Sequence, residues 1–243
     1  MRIEIVTART FSIDLNADLG EGFPWDEALI ARVCSVSVSC GFHAGDRETI
    51  LGTLRAAKNA GLPIGAHPGY PDREGFGRRE RVFSREDAKF LVLEQFAALA
   101  RLAQEVGASI RFLKPHGAFY NQAQRDPDIA AGIVSAAVTL GLPVLGLPGG
   151  EVQKAAGAVG LRFFAEGFAD RGYREDDCLI ARDQPGAILH DPREISDQVL
   201  RLVQSGRMET ICLHGDSPES VALADLVRAT LDRHGIALRG FMT

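Results

Sequence analysis

The sequence predicts a single α/β domain over residues 1–243, in which parallel strands alternate with helices and close into a (β/α) barrel. Short apolar runs alternate with helix-like segments along the chain, and no linker or low-complexity tract divides it. Seven or eight such units favour closure, with an open doubly wound sheet as the alternative. Apolar residues make up 46% of the chain, enough to fill a substantial core.

The first predicted strand, residues 11–18, alternates with a period of two residues. Asp14, Asn16 and Asp18 share one face, while Leu15 lies on the apolar face. In a barrel, the polar face would point into the lumen and the mouth. The later strands are predicted at residues 33–40, 62–66, 110–114, 143–147, 161–165 and 210–213, with a weak last candidate at 236–238.

The helices between these strands carry clear start and stop signals. The segment from Ser84 to Asp87 resembles a capping box at the start of a long amphipathic helix. Gly61 and Gly141 are each followed by Leu-Pro, which is typical of a helix-to-strand turn with a left-handed glycine. A capping side chain precedes a proline at three further predicted helix starts: Asp126-Pro127, Asp191-Pro192 and Ser217-Pro218.

Composition excludes some classes of function. The net charge of −5 and the pI near 5.7 argue against a nucleic-acid or anionic-membrane surface. The first residues do not resemble a signal peptide, and no apolar stretch is long enough to span a bilayer. The four cysteines have no C-x-x-C spacing, which favours reduced thiols in a cytoplasmic protein, with Cys40 as an alternative catalytic thiol.

Polar clusters follow five of the predicted strands. The carboxyl ends of parallel strands gather at one rim of a barrel, so we expect these clusters to form an active site. No phosphate-binding loop, dinucleotide fingerprint or nucleophile elbow is present. The candidate catalytic residues are Asp14, Asn16, Asp18, His43, His67, Lys114, His116, His214 and Asp216.

The first strand and the two that follow supply a set of carboxylates and histidines. Asp18, His43 and His67 could bind a divalent cation, or the set could divide general acid and base roles. The alternative is structural, with the carboxylates capping loops and the histidines bonded to backbone carbonyls. The spacing matches no dedicated metal-ligand motif.

Two further clusters repeat a spacing of two residues. Lys114 could stabilise an oxyanion or a phosphate with His116 as proton carrier, or it could form an ion pair with Asp14 or Asp18. In the last cluster, Asp216 could orient His214.

Two long strand-to-helix connections, residues 68–83 and 167–187, lie on the same predicted face as the polar clusters. Their arginines could recognise a carboxylate or a phosphate, or could form a solvated, salt-bridged loop. Asp170 is a weaker candidate of the same kind. The candidate substrate-binding residues are Arg73, Arg78, Arg79, Glu166 and Arg171.

These residues lie in stretches that resemble the LamB/YcsF family. The matching stretches occur in family order and cover nearly everything after the first ten residues. They are DLNADLGEGF (14–23), SCGFHAGD (39–46), IGAHPGYPDREGFGRR (64–79), KPHGAFYN (114–121), GFADRGY (167–173), QPGA (184–187) and LHGDSP (213–218).

The resemblance implies a distorted seven-stranded barrel similar to those of glycoside hydrolases and carbohydrate deacetylases. It also implies the A subunit of an ATP-dependent 5-oxoprolinase, which converts the lactam 5-oxoproline to L-glutamate with ATP as co-substrate and subunits B and C as partners. A homo-oligomer stays open. The alternatives are a metal-dependent amide hydrolase or deacetylase that acts alone, and a non-catalytic component of a lactam-utilising complex.

Overall fold

The computed structural model describes residues 11–242. Seven parallel strands form a closed barrel, because β1 pairs with β2 on one side and with β7 on the other. The predicted barrel is therefore confirmed, and the open sheet is wrong. The strands are β1 (Ser12–Leu19), β2 (Ser35–Ser39), β3 (Ile64–His67), β4 (Ile110–Leu113), β5 (Val144–Gly146), β6 (Phe163–Phe168) and β7 (Thr210–His214).

An eighth strand, β8 (Ala237–Leu238), pairs with Ser12 and Ile13 at the start of β1, outside the closed ring. The chain then places Phe241 against Phe112 and Phe164, with ring centroids 5.2 and 4.5 Å apart. Phe112, Leu145 and Phe164 form a small buried apolar cluster of their own, and Phe241 packs against it.

Eight helices connect the strands among residues 11–242, and none of them is both long and apolar enough to cross a membrane. They are α1 (Asp26–Ile30), α2 (Arg47–Asn59), α3 (Arg85–Val106), α4 (Gly117–Ala123), α5 (Pro127–Leu140), α6 (Glu151–Ala158), α7 (Pro192–Gln204) and α8 (Ser220–Arg233).

Most of the predicted helix signals are confirmed. Ser84 forms a complete capping box with Asp87, and the side chains of Asp126 and Asp191 accept backbone hydrogen bonds at the starts of α5 and α7. The cap at Ser217 is wrong. The Ser217 hydroxyl accepts from the Glu219 backbone N–H in a turn, and α8 begins only afterwards.

The two faces of β1 have the predicted orientation. Leu15 and Ala17 are fully buried in the main apolar cluster between the barrel and the helices. Asp14 and Asn16 are equally buried, but both hydrogen-bond to Thr210 of the neighbouring strand β7 inside the barrel. In the sheet register, Asp18 is adjacent to His214 of β7. Closure of the barrel thus turns a polar strand face into a buried polar lumen.

Candidate active site

A cavity of about 750 Å³ opens at the carboxyl ends of the strands. The candidates that line it are Asp18, His67, Lys114, His116 and His214, so closure of the barrel brings together residues from β1, β3 and β7 and from the loop after β4. The wall also contains five arginines, although the whole chain carries a net negative charge. They are Arg78, Arg125, Arg171, Arg174 and Arg182. Guanidinium groups in this number favour an anionic ligand.

Lys114 lies at the centre of a buried cage of polar atoms. Its Nζ is 2.8 Å from both Asp18 Oδ1 and Glu166 Oε1, 2.9 Å from Cys212 Sγ and 3.1 Å from Asn16 Oδ1. The ammonium donates to Asn16 and Cys212, and it forms ion pairs with the two carboxylates. The predicted pair with Asp18 is therefore confirmed, whereas the alternative partner Asp14 lies deeper in the barrel.

The protonation of this cage follows from burial and charge. Burial opposes the charged form of Lys114, but Asp18, Cys212 and Glu166 raise its pKa well above the usual range. Burial likewise opposes ionisation of Asp18, yet His67 and Lys114 hold its pKa below the usual value. Burial raises the pKa of Glu166 despite its contact with Lys114. The cage therefore holds an ammonium and an ionised Asp18 together.

Asp14 occupies a separate position below the cage. Its Oδ1 accepts hydrogen bonds from Ser35 Oγ at 2.9 Å and Thr210 Oγ1 at 2.5 Å. Burial is the largest influence on this carboxyl and raises its pKa to about 7. Asp14 does not line the cavity, so we interpret it as part of the floor.

Three histidine rings and one carboxylate form a second buried cluster beside the cage. The ring centroids of His43 and His116 are stacked 3.8 Å apart, and His67 meets His116 edge-on at 4.8 Å. Glu21 Oε1 lies 3.2 Å from His43 Nε2 and 3.3 Å from His116 Nδ1. One side-chain atom from each of the four residues lies within 4.8 Å of the others, so the cluster could hold a metal ion.

Burial also controls the charge of this cluster. It lowers the pKa of His67 to about 4, and it lowers the pKa values of His43 and His116 well below the usual value. Burial raises the pKa of Glu21 well above its usual value, an effect that Asp18 reinforces. The three imidazoles are therefore neutral at neutral pH.

His214 forms a different arrangement. Its Nδ1 donates to Asp170, with oxygen atoms at 2.8 and 3.0 Å, and its ring stacks on Phe168 at 5.4 Å. The prediction that Asp216 orients His214 is wrong, because Asp216 instead forms ion pairs with Arg78 and Arg182. A proton on Nδ1 leaves the lone pair of the imidazole on Nε2, which is the tautomer that a general base requires.

The structure separates the predicted substrate-binding residues. Arg78 and Arg171 line the cavity, although the Arg171 guanidinium donates to backbone carbonyls of the 180–187 segment. Glu166 is buried in the Lys114 cage and does not line the cavity. Arg73 donates to the Gly41 and Gly45 carbonyls, and Arg79 pairs with Asp72 and Glu74, so neither reaches the cavity.

Sequence reasoning did not select several residues of the site. Glu21 follows β1 by two residues and lies within the matched stretch DLNADLGEGF, which was the available signal. Asp170 was only a weak candidate, and Arg182 and Cys212 were not selected at all. Burial raises the pKa of the alternative thiol, Cys40, to about 12, which does not favour a nucleophilic thiolate.

The fold agrees with comparisons to known proteins. The sequence pattern of the LamB/YcsF family matches residues 13–243. The chain belongs to the LamB/YcsF family. It is similar to the 5-oxoprolinase A subunit of Paracidovorax citrulli, with 43% identity over 94% of this chain and 99% of that protein.

Solved structures also resemble this LamB/YcsF chain. The crystal structure of a lactam utilization protein from Thermus thermophilus has a TM-score of 0.86 and 36% identity, and the match covers 95% of this chain and all of that one. A family 4 carbohydrate esterase from Streptomyces lividans in complex with acetate has a TM-score of 0.56 and 14% identity. That match covers 96% of this chain and 94% of the esterase, and it concerns the fold alone. The predicted deacetylase-like barrel is confirmed.

Proposed function

We propose that this chain is the A subunit of an ATP-dependent 5-oxoprolinase, which hydrolyses the lactam 5-oxoproline to L-glutamate in the cytoplasm with subunits B and C. The observation that carries the proposal is the arginine-lined cavity with the His214–Asp170 pair and Lys114 at its base. A carboxylate substrate fits the positive wall. The curated relatives support the choice of substrate through their names.

Hydrolysis of a lactam requires water to attack the ring carbonyl and the ring nitrogen to leave with a proton. His214 is the residue we assign to this proton transfer, because Asp170 holds its Nδ1 proton and leaves Nε2 basic. Arg78 and Arg182 are the groups we assign to the anionic substrate. Lys114 provides a fixed positive charge near the developing oxyanion, and its carboxylate partners hold it in place.

ATP enters this scheme as a co-substrate of the assembled enzyme. Phosphorylation of the lactam carbonyl oxygen would release ADP and make the ring carbon a better electrophile. Attack of water, cleavage of the C–N bond and hydrolysis of the phosphate then give glutamate and inorganic phosphate. The balance is one ATP and two waters consumed for each lactam opened.

Reconstitution tests the proposal. The chain is combined with candidate subunits B and C, and glutamate release is measured with and without ATP. We expect release only from the complete mixture with ATP. We expect His214→Gln to lower kcat at least about 100-fold. His234→Gln, at the end of α8, serves as the matched control and should retain activity.

Other outcomes contradict the proposal. Undiminished glutamate release by subunits B and C without this chain would indicate that this chain is not catalytic. Release of acetate from an N-acetylated sugar by this chain alone, without ATP, would indicate a deacetylase. Full activity of the folded His214→Gln variant would refute the assigned role of His214.

A further inference from the structure

Hydrogen bonds to backbone carbonyls determine the tautomers of two histidines in the cluster. His67 Nδ1 lies 2.7 Å from the Lys114 carbonyl oxygen, and His116 Nε2 lies 2.8 Å from the Phe76 carbonyl oxygen. A carbonyl oxygen only accepts hydrogen bonds, so both of these nitrogens carry the proton. In the neutral rings, His67 Nε2 and His116 Nδ1 therefore carry no proton, and each has a lone pair that can accept a hydrogen bond or bind a metal.

These two lone pairs point at each other. His67 Nε2 and His116 Nδ1 are 3.0 Å apart, with no proton available to bridge them. Glu21 Oε1 adds a carboxylate oxygen 3.3 Å from His116 Nδ1 and 3.9 Å from His67 Nε2, and His43 Nε2 approaches the same oxygen at 3.2 Å. Glu21, His43, His67 and His116 are all at least 93% buried. Lone pairs that converge in a dry site are stabilised by a cation that they can all coordinate.

The spacing of the four atoms fits a metal ion. A tetrahedral zinc ion with bonds of about 2.0–2.1 Å places its ligand atoms about 3.3 Å apart. Three of the separations in the cluster are 3.0, 3.2 and 3.3 Å, and a fourth, from His67 Nε2 to Glu21 Oε1, is longer at 3.9 Å. His67 and His116 each donate the other ring N–H to a backbone carbonyl. Metal-binding histidines are commonly oriented by a hydrogen bond of this kind.

We propose that Glu21, His43, His67 and His116 bind one divalent transition-metal ion of the Zn²⁺ class. Three imidazoles and one carboxylate favour such an ion over Mg²⁺ or Ca²⁺, which prefer oxygen ligands. The sequence expectation of Asp18, His43 and His67 is thereby revised, because Glu21 and His116 take the place of Asp18.

A second group of residues does not compete for the ion. Asp18, Cys212 and His214 also lie close enough together to suggest a metal. However, the Lys114 ammonium is already 2.8 Å from Asp18 and 2.9 Å from Cys212. A divalent cation there would have to displace a buried positive charge or lie beside it. The Lys114 cage therefore excludes a metal from its own side of the mouth.

The catalytic role of this metal rests on the proposed hydrolase function, in which an ion beside the cavity would supply a Lewis acid or an activated water. It nevertheless stands on the cluster geometry, and its test uses neither substrate, nor ATP, nor partner subunits. A failed metal test would therefore refute the metal site without refuting the proposed 5-oxoprolinase activity, which the reconstitution experiment tests separately.

The experiment measures metal binding by the full chain. The purified protein is stripped with a chelator and dialysed against Zn²⁺, Co²⁺ or Mn²⁺, and bound metal is measured by mass spectrometry together with the shift in Tm. We expect one equivalent of metal and a higher Tm for the wild-type chain. We expect Glu21→Gln and His116→Ala to weaken binding at least about 100-fold.

Two control variants make the result specific. His214→Ala removes the histidine of the neighbouring group, and His234→Ala removes a histidine remote from the mouth; both should still bind one equivalent. Glu21→Gln keeps the shape of the side chain, so it tests the proposal even if His116→Ala fails to fold. The proposal is overturned if none of the three ions binds stoichiometrically to the wild-type chain. It is also overturned if the folded Glu21→Gln variant binds as tightly as the wild type, or if only His214→Ala loses the metal.

Discussion

The Lys114 cage and the histidine cluster lie side by side at the mouth, but they differ in how their charges are balanced. In the cage, the ammonium lies 2.8 Å from carboxylate oxygens of Asp18 and Glu166, so positive and negative groups compensate each other. In the cluster, three neutral imidazoles and Glu21 converge, and one side-chain atom of each lies within 4.8 Å of the others. The cage is therefore charge-balanced within the chain, whereas we propose that an added cation completes the cluster.

The largest expected effect comes from breaking the cage. Lys114→Met removes the buried cation and leaves Asp18 and Glu166 unpaired. We expect the free energy of unfolding to fall by about 3–5 kcal/mol, measured by urea denaturation at pH 7. The double variant Lys114→Met/Glu166→Gln should recover part of this loss. Wild-type stability of the single variant would contradict the view that the cage is charge-balanced.

The second prediction concerns Asp14, below the cage. Its pKa is about 7 when folded and near 3.9 when unfolded, so the native state binds the proton more tightly. The stability that this proton provides is fully present below pH 4 and is lost as the pH rises through 7. In Asp14→Asn the side chain does not titrate, so this loss of unfolding free energy, at most about 4 kcal/mol, should be absent.

The measurement is the free energy of unfolding of Asp14→Asn and of the wild type at several pH values. The difference, variant minus wild type, should increase from pH 4 to 7 and then level off. The amide also changes the hydrogen bonds with Ser35 and Thr210, which adds an offset that does not depend on pH. A difference that stays constant across this range would contradict a raised pKa at Asp14.

The third prediction separates two adjacent arginines. Arg78 lines the cavity, whereas Arg79 is 65% exposed and pairs with acidic residues outside it. Loss of a charge-assisted hydrogen bond costs about 1.5–3 kcal/mol, so Arg78→Gln should raise KM for 5-oxoproline about 10- to 100-fold in the reconstituted enzyme. Arg79→Gln is the matched control and should leave KM nearly unchanged. Equal effects of both substitutions would argue against Arg78 as a substrate ligand.

The smallest effect is expected far from both centres. Ser84→Ala removes the capping box of α3, which is exposed at the helix start. Thermal and urea unfolding should show a loss of about 1 kcal/mol. Metal binding should not change. The variant therefore serves as a control for whether a general loss of stability by itself weakens metal binding at the histidine cluster. A parallel loss of metal binding would mean that the cluster reports overall stability rather than its own ligands.

The fold was predictable because strands and helices alternate regularly along a barrel, and this alternation is visible in the pattern of apolar and polar residues. The alternation of Asp14, Asn16 and Asp18 with apolar residues predicted a polar lumen, and the order of the elements predicted closure. The end of β6 was not predictable, because the apolar run that predicts the strand ends at residue 165, before Glu166. The strand continues to Phe168 because Glu166 points into the lumen and its charge is met by Lys114.

The sequence predicted which kinds of residue meet at the rim of the barrel, but it did not predict which of them form hydrogen bonds or ion pairs with each other. The strand ends predicted that His43, His67, His116 and His214 would meet at one rim. Nothing in the spacing distinguishes the partner of His214, because Asp170 is 44 positions away and reaches it only through the packing of β6 beside β7. Glu21 was missed for a related reason. Its direction depends on a turn that follows β1 through Gly20, which has a φ of 75°.

Anomalous X-ray diffraction at the absorption edge of zinc or cobalt, on crystals loaded with that ion, tests the central contrast between the two centres most directly. We expect one strong peak enclosed by Glu21, His43, His67 and His116, with bonds of about 2.0–2.2 Å, and no peak inside the Lys114 cage. A peak bound by Asp18, Cys212 and His214, or no peak at the mouth in metal-loaded crystals, would contradict this expectation.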